Sequence, residues 1–115
     1  MIQLTPATKV FVCISAVDFR LGINGIFSLC ESTLKMDPYS GTIFAFIGKS
    51  RKAIKLLVYD GQGFWLMQKR LSRGRFSWWP SSEEICAQID PRNFLILINN
   101  GNPTQIKMQS DWKKL

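Results

Sequence analysis

Between residues 42 and 71, three short apolar runs follow one another with only tight turn signals between them, and that spacing predicts an antiparallel meander. The first run, 42–47, is apolar on both faces. Phe44 and Phe46 share one face, and Ile43, Ala45 and Ile47 share the other, as in a central strand. Residues 48–52 turn the chain and 53–59 bring it back. Asp60-Gly61-Gln62-Gly63 is then a hairpin signal, because glycine takes the positive backbone angles of a tight turn. The third run, 64–71, places Phe64 and Leu66 beside Gln68 and Arg70, with Trp65 and Met67 beside Lys69 on the opposite face. Both faces turn polar toward its far end, so that end is expected to leave the core.

The flanking segments complete an α+β domain. Residues 10–14 read as a strand. Ile23, Ile26, Phe27, Cys30 and Leu34 fall at helical spacing and form one apolar stripe, closed by the turn formers of residues 36–41. Residues 76–79 are expected to add a short strand before Pro80, and 81–89 fit a short helix or a strand. Asp90-Pro91 has the order of a helix cap followed by proline in the first turn, and Gly101 stands where the helix would end, which predicts a helix over 91–100. Residues 94–98 also fit a buried strand. The expected fold is a small antiparallel meander sheet packed with an N-terminal and a C-terminal helix, in a single domain over 1–115 with a loose tail from about 106.

The charge is uneven. The chain carries 15 Lys and Arg against 8 Asp and Glu, a formal net charge of +7. Residues 49–75 hold Lys49, Arg51, Lys52, Lys55, Lys69, Arg70, Arg73 and Arg75 against the single acid Asp60, while the rest of the chain is neutral. A neutral frame with one basic segment is the electrostatic footprint of a nucleic-acid binder, although a solvated surface of ordinary lysines gives the same count.

The residues needed for most catalysis are missing. There is no histidine, so the commonest general base and metal ligand is absent. Gly48-Lys49-Ser50 looks like the end of a phosphate-binding loop, but the upstream glycine is missing because position 43 is Ile, and the segment reads as a turn. Asp18, Asp37, Asp60 and Asp90 stand at predicted turns or caps, where aspartate has a structural use; a metal-dependent nuclease would require at least two of the first three to converge. Cys13, Cys30 and Cys86 are odd in number, far apart in sequence and flanked by apolar residues. They offer no disulfide framework and no zinc spacing, and reduced, buried thiols are expected. No stretch approaches the roughly 20 apolar residues of a membrane span, and nothing resembles a signal peptide. A cytoplasmic protein without catalytic residues, metal or other cofactor, or small-molecule substrate is the expectation.

Several ordered motifs resemble one family. Asp18-Phe19-Arg20-Leu21-Gly22-Ile23-Asn24-Gly25 is similar to its first signature. Asp37-Pro38-Tyr39-Ser40-Gly41 with Phe44 and Phe46 is similar to its second. The third combines Lys55-Leu56-Leu57, Asp60-Gly61-Gln62-Gly63-Phe64, Lys69-Arg70-Leu71, Gly74-Arg75-Phe76 and Trp79-Pro80. Together they resemble the accessory protein of insertion-sequence family sixty-six, the TnpB type that is unrelated to the RNA-guided nuclease of that name. The match runs over about residues 9–80 and more weakly to Gly101. Asn24 departs from the family's usual acid, and Val58-Tyr59 from a pair that is often tryptophan. The resemblance implies a helper in transposition, acting beside a separate transposase and other transposon-encoded proteins.

A meander also brings the turn at 48–52 and the strand end at 69–75 to the same edge of the sheet, because the chain leaves the first and third strands at the same end. The eight cations are therefore expected to merge into one DNA-binding patch, for transposon ends or for duplex DNA in general. Trp78 is a candidate for stacking on bases, while Trp79 beside Pro80 reads as cover for the sheet. The competing expectation is a module that contacts the transposase through a strand edge, Trp65 and the C-terminal helix.

Overall fold

The structure, a computed structural model, describes residue 5 and residues 7–104. The elements in order are β1 (Val10–Cys13), α1 (Ile23–Ser32), a 3-10 turn (Pro38–Ser40), β2 (Ile43–Ile47), β3 (Ala53–Tyr59), β4 (Phe64–Arg70), β5 (Cys86–Ile89) and α2 (Pro91–Ile98). The five strands form one sheet in the order β4-β3-β2-β1-β5. The meander β2-β3-β4 is antiparallel throughout, with Ala45 opposite Leu56 and Leu57 opposite Leu66. The sheet as a whole is mixed, which corrects the purely antiparallel expectation. β1 runs parallel to β2, with Val10 opposite Ile43, and α1 makes the crossover that a parallel pair needs. β5 then pairs antiparallel with β1.

Both faces of the sheet are covered, so all five residues of β2 are buried. On one face α1 lays Ile26 and Cys30 against Phe44, Phe46 and Leu57. On the other, α2 lays Phe94 and Leu97 against Val10, Val12, Ile43, Ala45, Ile47 and Ile54. Each fully buried Phe or Leu contributes about 1.5–3 kcal/mol by leaving water. Residues 76–79, expected as a strand, instead cross the α2 face without pairing. Phe76 and Trp79 are buried there, and the Trp79 indole N–H donates to the Cys13 carbonyl at 2.9 Å. Burial of aromatic surface rather than a ladder fixes this segment.

α2 forms as its caps predict. Asp90 accepts a hydrogen bond from the Asn93 N–H at 2.8 Å, and Pro91 follows in the first turn. The helix ends at Ile98, two residues earlier than expected. Asn100 takes the left-handed angle (φ 63°) and the Gly101 N–H closes onto the Ile96 carbonyl. The tail from about 106 falls outside the described residues.

The three thiols, distant in sequence, meet on the α1 face: Cys13 and Cys30 are buried, and the half-buried Cys86 is the cross-strand partner of Cys13. All three are free. Burial pushes each thiol pKa up, that of Cys30 to about 12, so they remain protonated packing groups.

Candidate nucleic-acid interface

The cationic end of the sheet is organised by main-chain hydrogen bonds. Residues 48–52 connect β2 to β3 through a turn in which Arg51 takes a left-handed conformation (φ 61°) and donates its N–H to the Gly48 carbonyl at 2.9 Å. This loop is held from both sides. On one side, the Leu71 N–H donates to the Lys52 carbonyl at 2.9 Å and the Phe76 N–H to the Arg51 carbonyl at 2.7 Å. On the other, Val17 bridges to Gly48 and donates to the Ile47 carbonyl at 2.9 Å. Gly48 is required there, because a Cβ would lie 2.9 Å from the Phe19 ring. The two cationic segments, 23 residues apart if measured from Ser50 to Arg73, are thus stitched together by their backbones.

Two shallow grooves open on this end. One, of about 420 Å³, is lined by Lys49, Lys52, Gln68 and Arg70 together with Asp18 and Arg20. The other, of about 290 Å³, is lined by Lys52, Arg70, Arg73 and Gly74. Lys52 and Arg70 border both, so Lys49, Lys52, Arg70 and Arg73 form a continuous cationic rim. All four are exposed. Arg51 is half-buried in the turn and Arg75 is exposed beyond the grooves.

The structure puts Lys55 and Lys69 elsewhere. Lys55 is 6% exposed; its ammonium donates to the carbonyls of Phe19 and Leu21 at 2.8 and 2.7 Å and sits 4.6 Å from the centre of the Phe19 ring. It ties β3 to the segment entering α1 and presents no charge at the surface. Lys69, exposed on the α2 face, donates to the Ile98 carbonyl at 2.6 Å, at the end of α2 where a cation offsets the negative pole of the helix. Trp78 is half-buried and packs against the α2-face core, beside Ser77, whose N–H donates to the Asn100 side chain at 2.8 Å.

Arg20 belongs to this end although the basic segment of the sequence excludes it. Asp18 accepts from its guanidinium at 2.8 Å, the one ion pair among the described residues, and that contact holds the Asp18 carboxyl well below the usual carboxylate range. The pair is exposed and therefore contributes little to stability, but it leaves Arg20 locally neutralised. The sequence signal for Arg20 was its place in the Asp18–Gly25 motif.

The opposite end of the hairpin holds the remaining acids of interest. Asp60 accepts from the N–H groups of Gln62 and Gly63, each at 2.8 Å, and from the Trp65 indole at 2.8 Å; these bonds, the Gly63 one first, lower its pKa. Asp37 accepts from the Tyr39 N–H at 2.9 Å. Asp18 stands at the other end of the sheet. Among the described residues, no group of three or more His, Cys, Asp or Glu side chains could hold a metal ion. No described helix is long and apolar enough to cross a membrane.

The chain shares this sequence pattern with known proteins. An uncharacterized protein, y4jC, of Sinorhizobium fredii (strain NBRC 101917 / NGR234) is 33% identical over 107 residues, covering 93% of this chain and 91% of the relative. A second uncharacterized protein of that strain, y4hO, is 35% identical over 91 residues, covering 79% of this chain and 78% of the relative. No solved structure matches. The family described as IS66 Orf2 like protein matches residues 8–108, which takes in every strand, both helices and the whole cationic end. The chain belongs to the IS66 Orf2-like family, whose members are accessory to insertion-sequence transposition.

Proposed function

We propose that this protein supports transposition by binding duplex DNA through the cationic end of its sheet, without catalysing a reaction. The observation that carries this reading is the rim formed by Lys49, Lys52, Arg70 and Arg73, which has no carboxylate partner among the described residues and borders two open grooves. Unpaired cations on a rigid backbone frame suit phosphates. Each contact releases counterions, so affinity falls steeply with salt. Arg51 and Arg75 extend the rim. Lys55 and Lys69 act indirectly by holding the frame, and Trp78, half-buried against the α2-face core and in the lining of neither groove, is left out of the contact surface. No recognition helix enters this arrangement, so the contacts read the DNA backbone rather than base edges.

The test is fluorescence anisotropy of labelled duplexes at low and moderate salt, comparing transposon-end with random DNA. Arg51, Lys52, Arg70 and Arg73 are then changed together to Ala. Salt-sensitive binding that falls by about 100-fold or more in the variant is the expected result, because several phosphate contacts are lost at once. Absence of binding at low salt overturns the reading.

A second reading rests on a separate observation. Trp65 is 51% exposed and Tyr39 54% exposed at the hairpin end, away from the cations. Trp65 borders a groove of about 480 Å³ with Ile43, Val58 and Met67 in its lining. In this reading the groove is a contact surface for the transposase or another transposon-encoded protein. If the four-Ala variant still joins the transposase while Trp65→Ala does not, the two surfaces are separate.

A further inference from the structure

The outer edge of β4 is not engaged by any described segment. β4 is the last strand of the sheet, and β3 pairs with all seven of its residues on the inner side. The direction of its backbone groups follows from two bonds flanking the ladder. Asp60 N–H to the Gly63 carbonyl and Leu71 N–H to the Lys52 carbonyl mark 60/63 and 52/71 as hydrogen-bonded pairs. Hydrogen-bonded and non-hydrogen-bonded pairs alternate along an antiparallel ladder. Trp65, Met67 and Lys69 therefore turn their N–H and C=O groups toward β3, while Phe64, Leu66, Gln68 and Arg70 turn theirs outward. The other edge strand, β5, has four residues and offers little to pair with.

We propose that β4 is a homodimerisation edge, on which a second copy of this chain adds its own β4 antiparallel about a two-fold axis through Met67. The occupant follows from the composition of the strand. Its first half, Phe64-Trp65-Leu66-Met67, is apolar, and its second half, Gln68-Lys69-Arg70, is polar and cationic. Antiparallel self-pairing sets Phe64 opposite Arg70, Trp65 opposite Lys69 and Leu66 opposite Gln68 of the other copy. On one face each Arg70 then meets a Phe64 ring; on the other, Lys69 keeps its ammonium on the Ile98 carbonyl and sets its aliphatic stem beside Trp65. Parallel pairing in register would set Lys69 against Lys69 and Arg70 against Arg70, which is unfavourable.

The same register answers the objection that two chains of +7 repel. The two Arg70 residues fall at opposite ends of the paired strands, six residue steps or about 20 Å apart. That exceeds the Debye length of about 8–10 Å at ordinary ionic strength. The interface is isologous, so it closes at two copies. Edge pairing alone buries modest area, and the dimer is expected to dissociate on the order of micromolar concentration. Arg70 also belongs to the cationic rim, but sedimentation in the absence of DNA reads dimerisation whatever that end binds.

Sedimentation equilibrium of the full chain across the micromolar range tests it. Gln68→Pro removes an outward N–H at each symmetry-related site while leaving the β3 ladder intact, and is expected to weaken dimerisation by about tenfold or more with an unchanged circular dichroism spectrum. Independently, Met67→Cys in a Cys86→Ser background places two thiols on the axis, and mild oxidation with diamide is expected to yield a covalent dimer. A chain that remains monomeric throughout, a dimer indifferent to Gln68→Pro, or a dimer that fails to cross-link through position 67 would each overturn the proposal.

Discussion

The two ends of the β3–β4 hairpin are built from the same pair of strands and treat polar groups in opposite ways. At the Asp60 end the charged group is satisfied within the chain: one carboxylate collects two backbone N–H groups and an indole, and nearby Phe27, Tyr39, Tyr59 and Phe64 pack against one another, mostly edge to face. At the Lys52 end the backbone is just as well bonded, yet the side-chain cations lack internal partners. Order of the main chain and satisfaction of side chains are thus separable. A segment can be rigid and still present unpaired charge to a ligand.

Lys52 and Lys55, three residues apart, are the sharpest test of this contrast. Lys55→Met removes the buried ammonium that binds two part-buried carbonyls, and is expected to lower the unfolding free energy by about 2–4 kcal/mol in urea denaturation. Lys52→Met is expected to change it by no more than about 0.5 kcal/mol. If the two variants are equally stable, the division of this segment into frame and surface fails.

At the other end, Phe64→Ala removes a half-buried ring that meets Phe27, Tyr39 and Tyr59 with centroids 4.9 to 5.3 Å apart. A loss of about 2–3 kcal/mol by the same assay is expected. A markedly smaller loss would mean that the aromatic cluster decorates the hairpin rather than closing it.

Asp60→Asn addresses the pH response. The native pKa of Asp60 is lowered, so its stabilising contribution is complete above the ordinary Asp pKa of about 3.9 and is lost as pH falls through the folded value. Asp18, depressed by Arg20, adds a second loss in the same direction. Melting temperature against pH is expected to fall less steeply on acidification in Asp60→Asn than in the native chain. An unchanged slope would assign the acid limb elsewhere.

The smallest effect is expected at Asp18. Asp18→Asn frees the Arg20 guanidinium beside the first groove, so duplex affinity should rise about two- to threefold at low salt and the gain should fade as salt increases. A loss of affinity would show that the ion pair positions Arg20 rather than masking it.

Much of the architecture was readable from local signals. The meander, its tight hairpin and the Asp90 cap depend on residues close in sequence, where side-chain alternation, glycine geometry and proline placement act directly. The joining of residues 48–52 to 69–75 was also readable, because an antiparallel meander returns its odd strands to one edge. The mixed character of the sheet was not. Neighbouring residues do not specify whether a four-residue strand such as β1 docks beside β2 or how it runs, since that pairing is settled by burial of α1 against the opposite face. Residues 76–79 depart from the expected strand for a related reason: their aromatic composition suits a strand and a core plug equally.

For the cationic end, the sequence by itself determined that charge would be concentrated, and where in the chain, because composition and turn spacing are local properties. Only the tertiary structure decided which cations remain at the surface. Lys55 and Lys52 look alike in sequence, but strand alternation points Lys55 at the Phe19 and Leu21 carbonyls. Those carbonyls arrive from more than thirty residues upstream, and together they hold an ammonium that would otherwise stay in water.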